Sequence, residues 1–508
     1  MDFSLVFHTI RHLRLTQILY QVKYRLKKAK YVEMKAPFHK AVKIVQPIDK
    51  PHCSDGDCMT FLNLSAPADW NYTGNGMLWA YNMNYFDWLN QKGFGSDEGE
   101  KWISQFIKDL PQNRIGLDPY PIALRGMNWI KFFCLHHIDK EEFDDSLFSQ
   151  YSLLSKKLEY HLLGNHLLED AYSLFIASIY FQDQSFYQLS SRLLQRELDE
   201  QVLPDGAHFE QSPMYHCILL DRLLDCYNFS VNNRFFDGQE SQNSYMKEKA
   251  ELMLGHLDSI TWNDGVIPLL NDSAFGIAPT PTQLSDYAKR LGLNWKIRKM
   301  AQCGYRKLQN EQIEAFIDVG NITANYQPGH SHADTFNYEL RIDGNPFIVD
   351  TGISTYNKTK RRQLERSTKA HNTVTVNGQN SSEVWGGFRV GNRCEVELLL
   401  DEATCVKARH NGFGKNNLHI RQFNIDDNSF TITDQLSGNG ENWIHFAPEV
   451  EILNYDNGSI QTSIGTIVLK GALRVDIFDG KISTEYNCFR ACKIAKIEFN
   501  KEMEYRIS

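Results

Sequence analysis

The spacing of apolar residues along this chain changes from a helical period to a strand period. Between about residues 98 and 310, apolar side chains recur every three or four positions, and Gly, Pro, Asn and Asp separate the runs. Helices of similar length with short connections indicate stacked helical hairpins. The pattern predicts helices over 102–110, 122–137, 147–163, 167–181, 184–202, 213–229, 245–260 and 284–291.

After Gly320 the apolar positions alternate, which is typical of strands. Turn signals such as Asp343-Gly344 and Asn377-Gly378 separate the runs, and many short strands with such turns predict an antiparallel β-sandwich. The strands are expected near 336–342, 374–376, 394–398, 430–433, 473–477 and 494–499.

These periods predict a multidomain chain of the α+β class. A helical and irregular N-terminal segment (1–97) is expected to pack on a helical domain (98–315), and a β-sandwich domain (316–508) follows. Ligand sites commonly lie between domains, so we expect the chemistry at the interface of the two larger domains.

The N-terminal segment is basic and amphipathic. Positions 1–30 contain seven Lys and Arg residues and a single acidic residue, Asp2, and apolar residues recur at helical spacing. The interpretation adopted is a first helix docked on the domain; the alternative is a basic helix on an anionic membrane surface. Because we find neither an apolar run of signal-peptide length nor a window long enough to span a bilayer, we expect a cytoplasmic protein with ten free thiols.

The overall composition narrows the class of protein. The chain has 508 residues, of which 42% are hydrophobic and 23% charged, so disorder is excluded. The net charge of −8 argues against a general nucleic-acid-binding protein. The oligomeric state stays open.

One cluster of residues has the composition of a divalent-metal site. His330 and His332 are two positions apart, so they point the same way on an extended segment. Asp350 and His371 add a carboxylate and a third imidazole, which are ligand types that zinc accepts. If Asp343-Gly344 is a hairpin turn, Asp350 lies opposite about residue 337, and segment 329–334 must bend back as a loop. The alternative is a set of hydrogen-bonded loop histidines.

Two helix starts carry polar side chains suited to acid–base chemistry. Ser212 and Pro213 form an N-cap and first helical position, which places Tyr215 in a first turn where the helix dipole stabilises negative charge. Gly164 is expected to end one helix and Asn165 to open the next, where its amide could bind a carboxylate. The alternatives are a buried core tyrosine and a purely capping asparagine.

A third candidate is the pair Arg125 and Trp129, which share a helix face four residues apart. A cation beside an aromatic ring suits an anionic sugar; the alternative is a packed Trp covered by Arg. Nucleotide-binding glycine loops, the GxSxG motif and the HExxH motif are not found in the sequence. The paired carboxylates of a glycosidase stay possible, because they need no fixed spacing.

Taken together, an ordered set of motifs resembles the heparinase II/III-like superfamily of polysaccharide lyases. The resemblance implies an incomplete α/α toroid followed by an antiparallel β-sandwich, in agreement with the periods above. The motifs are WAYNMNYFDWL (79–89), LRGMNWIKF (124–132), GNHLLED (164–170), DGAHFEQSPMYH (205–216), DGVIPLLNDSAFG (264–276), GHSHADTFNYEL (329–340), IVDTG (348–352) and RSTKAHNTVTVNG (366–378).

The resemblance also implies a reaction and roles. Members of the superfamily cleave uronic-acid-containing polysaccharides by β-elimination, with removal of the C5 proton and loss of the O4 group. By this resemblance Asn165 and His166 would neutralise the uronate carboxylate, and Tyr215 and His330 would be the acid and base, in an order left open. His332, Asp350 and His371 match metal-ligand positions, with zinc as the expected structural ion. Arg125, Trp129, Tyr356 and Arg366 are candidates for substrate binding.

Two other functions fit the same motifs. A uronate C5-epimerase would share the proton abstraction and return the proton to the opposite face. A non-catalytic glycan-binding or assembly protein would keep the fold without turnover, because fold alone does not give function.

Overall fold

The computed structural model of this chain describes residues 3–27, 29–55 and 58–508. Apart from a small three-stranded sheet within residues 54–67, a helical region comes first and antiparallel sheets follow, as the change of period predicts. The helices are α1 (Phe3–Ile10), α2 (Leu15–Leu26), α3 (Met77–Tyr85), α4 (Ser96–Asp109), α5 (Pro119–His136), α6 (Glu141–Ser155), α7 (Gly164–Phe181), α8 (Gln184–Gln201), α9 (Pro213–Val231), α10 (Gln239–Ile260), α11 (Pro281–Arg290) and α12 (Lys360–Glu365).

The helical region consists of inner and outer helices. In α7 every residue except His166 is buried, whereas α8 buries only one face. An all-round apolar helix belongs inside and an amphipathic helix belongs outside. Helix α7 packs against α5, α8 and α9, and α9 packs in turn against α10, which is the paired-helix arrangement of a toroid.

One predicted helix is wrong in its extent. The range 147–163 was expected to be continuous, but α6 ends at Ser155 and residues 156–163 form a loop. Asp170 holds this loop, because its Oδ2 accepts a hydrogen bond from the Glu159 backbone at 2.7 Å. Leu163 then has a φ of 61°, which a continuing helix does not allow.

The strands are β1 (Ser54–Asp55), β2 (Cys58–Phe61), β3 (Leu64–Pro67), β4 (Tyr305–Gln309), β5 (Ile313–Asp318), β6 (Tyr338–Ile342), β7 (Asn345–Ile348), β8 (Val374–Thr375), β9 (Val384–Trp385), β10 (Arg389–Val390), β11 (Val396–Asp401), β12 (Cys405–His410), β13 (His419–Ile425), β14 (Phe430–His445), β15 (Ile452–Tyr455), β16 (Ser459–Thr462), β17 (Thr466–Glu485) and β18 (Cys488–Ile507). The domain boundaries stay a prediction; β4 begins ahead of the boundary expected at 316.

The β-sandwich consists of a four-stranded sheet and a nine-stranded sheet. Their orders are β4-β5-β6-β7 and β11-β12-β13-β14-β18-β17-β16-β15, with β8 paired to β14. Both sheets contribute to one apolar core, in which the rings of Tyr338 and Phe430 lie 6.0 Å apart. This confirms the predicted fold of helices followed by an antiparallel sandwich.

The hairpin between β6 and β7 has the predicted turn. Ile342 pairs with Asn345, and Asp343 and Gly344 both have positive φ, as a two-residue hairpin requires. Asp350 consequently faces Asn337, whose amide donates to Asp350 Oδ2 at 2.6 Å. A bulge between Leu340 and Arg341 shifts the strand pairing by one residue, so that Leu340 pairs with Ile348, but Asp350 still contacts Asn337 as expected.

The N-terminal helix α2 docks with the face opposite to the one expected. Gln17 is buried and donates to the Leu162 carbonyl at 3.1 Å, and the Tyr24 hydroxyl donates to the Leu158 carbonyl at 2.5 Å. Leu19 and Leu26 are exposed. Helix α2 thus docks on the domain, as the adopted interpretation has it, but through polar and aromatic contacts and not through its exposed apolar residues. Among the described helices, none combines the length and apolar character needed to cross a bilayer.

Candidate active site

A stacked pair of rings, Tyr215 and His330, forms the centre of the site. Ser212 caps α9 as predicted, since its hydroxyl accepts a hydrogen bond from the Tyr215 backbone at 3.2 Å. His330 comes from the loop between β5 and β6, and the two ring centroids lie 3.9 Å apart. The Tyr356 hydroxyl lies 3.3 Å from that of Tyr215 and 3.4 Å from Nδ1 of His330. The fold thus brings three predicted site residues into contact.

Asp272 orients the His330 ring. Its Oδ2 lies 2.9 Å from Nδ1 of His330, and its Oδ1 lies 2.7 Å from Nε2 of His332. The buried Arg362 donates to both oxygens at 2.5 and 2.7 Å. Burial alone would raise the pKa of Asp272, but Arg362 and the two imidazoles hold it well below its usual value. An ionised carboxylate at Nδ1 favours the tautomer with its lone pair on Nε2.

Glu210 joins this group to the start of α7. Its Oε1 accepts a hydrogen bond from the Asn165 backbone at 3.3 Å, and its Oε2 lies 3.7 Å from Nε2 of His330. Burial raises the pKa of Glu210. His330 and the backbone N–H of Asn165 lower it, but the net pKa stays above its ordinary value. A Cβ on Gly164 would lie 2.9 Å from Glu210 Oε1, so glycine permits this close approach.

Asn165 lies inside the first turn of α7, so the prediction that it caps this helix is wrong. Leu163 is the N-cap and Gly164 is the first helical residue, because the preceding helix has already ended at Ser155. The side chain of Asn165 is buried, and its Oδ1 has no hydrogen-bond partner among the described residues. A buried amide oxygen without a partner is available to accept a hydrogen bond from a ligand.

His166 is a cationic donor at the same helix start. Its Nδ1 lies 3.0 Å from Oε2 of Glu159, and its ring lies 4.8 Å from that of Tyr120. Burial lowers the pKa of His166, but the neighbouring carboxylates of Glu159, Glu210 and Glu169 together offset this, and the net pKa is raised. About a third of the side chain is exposed, at 31%. His166 therefore offers positive charge at an accessible position.

Three residues predicted to bind substrate are buried and engaged by the protein itself. Arg125 donates to Gln150 and to two backbone carbonyls, and Trp129 packs in the aromatic core beside Phe86. The expectation of an Arg–Trp pair facing a sugar is corrected, because both side chains are fully buried. Arg366 is also buried, and its guanidinium donates to the Ser331 carbonyl at 2.8 Å.

The three predicted metal ligands are neighbours in a buried cluster. Nδ1 of His371 lies 2.7 Å from Oδ2 of Asp350, and the rings of His332 and His371 lie 5.2 Å apart. Nδ1 of His332 and Nε2 of His371 are buried without partners among the described residues. Imidazole nitrogens and a carboxylate are ligand types of a zinc site, but the donor atoms of these three residues do not all lie within 4.8 Å of one another.

A different trio has the tightest convergence of donor atoms. Within the described ranges, only Asp205, His256 and Cys303 offer three donor atoms that all lie within 4.8 Å of one another. The Asp205 carboxylate is already engaged, because its Oδ2 accepts hydrogen bonds from the backbones of Ala301 and Cys303 at 2.9 Å. Asp205 therefore holds the loop after α8 against the segment that leads into β4.

Sequence reasoning did not single out Asp272, Arg362 or Glu210. Asp272 and Glu210 lie within the motifs 264–276 and 205–216, but nothing in their spacing reveals their partners. Asp272 contacts a histidine 58 positions away and an arginine 90 positions away. Such contacts are set by the docking of the helical region on the sandwich.

Known proteins resemble this chain in both regions. Residues 131–293 match the family described as heparinase II/III N-terminus, and residues 293–507 match heparinase II/III-like, C-terminal. Two curated relatives are both described as heparin-sulfate lyase. The Pedobacter heparinus protein is 26% identical over 339 residues, which cover 59% of this chain and 48% of the relative. The Bacteroides stercoris protein is 22% identical over 420 residues, which cover 74% of this chain and 60% of the relative.

Solved structures share the fold. A crystal structure of heparinase III superposes with a TM-score of 0.65 and 15% identity, covering 86% of this chain and 79% of that one. A crystal structure of a chondroitin AC lyase from Streptomyces coelicolor superposes with a TM-score of 0.51 and 9% identity, covering 97% of this chain and 79% of that one. This chain spans about half to three-fifths of the length of the curated relatives above. The two family matches adjoin and the architecture agrees with them, and on these grounds the chain belongs to the heparinase II/III-like family.

Proposed function

We propose that this protein is a polysaccharide lyase that cleaves a uronic-acid-containing polysaccharide by β-elimination. The observation that carries the proposal is the stack of Tyr215 on His330, with Glu210 joining His330 to Asn165. The names of the heparin-sulfate lyase relatives support the same reaction class.

Each step of the elimination has a candidate group. The Asn165 amide and the His166 imidazolium bind the uronate carboxylate and stabilise the charge that develops as C5 loses its proton. His330 takes that proton on Nε2, because its Nδ1 faces Asp272. The electron pair left on C5 forms the C4–C5 double bond as the C4–O4 bond breaks.

Tyr215 is the proton donor in this proposal. Burial raises the pKa of Tyr215, so the phenol keeps its proton at neutral pH. That proton passes to the departing O4 oxygen. Tyr356, whose hydroxyl touches both Tyr215 and His330, is placed to bind the same sugar.

The experiment is incubation with a panel of uronate polymers, read by the ultraviolet absorbance of unsaturated ends and by product mass. We expect absorbance and shortened chains with at least one polymer, and their loss in Tyr215→Phe and His330→Ala. Tyr245→Phe, which removes a surface hydroxyl bonded to Asp199, is the matched control. Solvent deuterium at C5 without chain shortening would instead identify an epimerase, and unchanged binding without turnover would identify a glycan-binding protein.

We also propose that His332, Asp350 and His371 hold a structural divalent metal, with zinc as the expected ion. The support is the pair of orphaned imidazole nitrogens beside a carboxylate. When bound, the ion would tie the loop that carries His330 to the sandwich. Elemental analysis of the purified protein should find about one zinc per chain, and none in His371→Ala. The proposal would be overturned if wild-type protein treated with a chelator keeps the melting temperature of the untreated protein and neither sample contains metal.

The cytoplasm is the proposed location. All ten cysteines are free thiols, as expected in a reducing compartment. Fractionation of the source cells, followed by immunoblotting, tests this proposal, and recovery in an extracytoplasmic fraction would contradict it.

A further inference from the structure

Helix α2 presents an apolar stripe to solvent. Leu15, Leu19 and Leu26 are 78%, 66% and 79% exposed, and Ile18 and Val22 are exposed as well. At 100° per residue, these five positions fall within an arc of about 100° on one side of the helix. A contiguous apolar stripe on a surface helix marks a docking surface.

The opposite side of α2 holds the helix on the protein. Gln17 is buried against the carbonyls of Leu162 and Tyr326, and the ring of Tyr20 lies 4.6 Å from that of Tyr160. These contacts fix the orientation of the helix, so the apolar stripe is a feature of the folded chain.

Basic side chains flank the stripe on both sides. By the same helical geometry, Lys23 and Arg25 lie about 80° to either side of its centre, and both are exposed. Residues 3–32 contain seven Lys and Arg and no Asp or Glu, which gives +7. Because the whole chain carries −8, the rest of it carries −8 − 7 = −15. The N-terminal segment is thus positive against an acidic remainder; Arg14 is paired with Glu200, and Lys23 and Arg25 carry their charge beside the apolar stripe.

We propose that α2 docks this protein on an anionic lipid surface. An apolar stripe with a long basic side chain on either side fits the acyl–headgroup boundary, where the stems of Lys and Arg lie along the membrane and their charges meet lipid phosphates. A neutral surface would leave these charges without partners. The 12-residue helix then lies in the plane of the interface.

The docking brings the loop that leads into the candidate active site close to the membrane. The Leu158 and Leu162 carbonyls that bind α2 belong to the loop that leads into Asn165 and His166. A membrane-bound glycan is therefore the substrate form that this surface favours. The docking itself does not rest on the proposed lyase activity, so either can fail alone.

The test is co-sedimentation of the full-length chain with vesicles. We expect binding to phosphatidylcholine vesicles that contain phosphatidylglycerol, weak binding to phosphatidylcholine alone, and release by salt. Replacing Lys23, Arg25 and Lys27 with Glu should lower partitioning by roughly 100-fold or more. Leu19→Glu with Leu26→Glu should abolish binding while the melting temperature holds, because both side chains are exposed.

One control substitution and two contrary results make the vesicle experiment decisive. Leu473→Glu on β17 changes a side chain of similar exposure, 60%, in a different part of the fold and should bind vesicles like wild type. Equal binding of wild type and the Leu19→Glu/Leu26→Glu variant to anionic vesicles would overturn the proposal. So would a wild-type dimer, measured by light scattering, that this double substitution converts to monomer, because the occupant would then be a second copy of the chain.

Discussion

Nδ1 of His330 lies 2.9 Å from Oδ2 of Asp272, in a pair that links the helical region to the sandwich. Asp272 precedes α11, whereas His330 lies in the loop before β6. The same carboxylate also contacts His332 and Arg362, so one buried anion orients the candidate base and a candidate metal ligand together.

Asp272→Asn should impair both folding stability and turnover. The substitution leaves the fully buried Arg362 without its counter-charge, which should lower the free energy of unfolding by about 3–5 kcal/mol. It also removes the preference for a proton on Nδ1 of His330, so kcat should fall at least about 100-fold. Denaturant unfolding and initial rates measure the two effects. Asp286→Asn, in an exposed ion pair, is the control; a variant as stable as wild type would contradict the assigned pairing.

Glu210→Gln separates charge from hydrogen bonding at the centre of the site. The amide oxygen of Gln can still accept from the Asn165 backbone, so the melting temperature should hold. Its NH₂ group can donate to Nε2 of His330 and occupy the lone pair, which should lower kcat on the order of 10–100-fold. Steady-state kinetics would show this with little change in KM. The exposed Glu240→Gln is the matched control, and full activity of Glu210→Gln would show that Nε2 is not the base.

Glu159 should set the protonation of His166. The folded-state pKa of His166 is raised, so its contribution to stability is present below its ordinary pKa of about 6.5 and is lost as pH rises through the raised value. In Glu159→Gln the largest raising influence is removed and only Glu210 and Glu169 still oppose burial, so the pKa of His166 should fall. NMR titration of the His166 ring, assigned with His166→Gln, measures this. Glu141→Gln should leave the titration unchanged, and an unshifted pKa in Glu159→Gln would refute the pairing.

Gly164→Ala should test the close approach of α7 to Glu210. Gly164 has a φ of 58°, so Ala carries a backbone cost of about 1–2 kcal/mol, and its Cβ would meet Glu210 Oε1 at 2.9 Å. Gly276→Ala is a matched control, with a φ of 78° and nothing within 4 Å of the added Cβ. Chemical unfolding should therefore show a larger loss at Gly164, and only Gly164→Ala should lower activity. Equal losses at both positions would indicate that the approach is not tight.

The sequence by itself determined the order of the helical and strand regions and several local details. The change of period between Leu291 and Tyr338 separates helices from strands, and Ser212 and Asp343-Gly344 act as the cap and turn that their residue types require. Local rules succeed here because caps and tight turns depend on residues a few positions apart. The resemblance of ordered motifs also brought Asn165, His166, Tyr215 and His330 forward as candidates.

Only the tertiary structure decided which faces meet and which charges are buried. The i,i+4 spacing of Arg125 and Trp129 gives them one helix face, but it cannot say that this face packs into the core. The stripe on α2 shows the converse, because amphipathicity defines two sides of a helix without saying which side finds a partner. Asp272, Arg362 and Glu210 act through residues far away in sequence, and such contacts follow from the packing of whole elements, which no local pattern encodes.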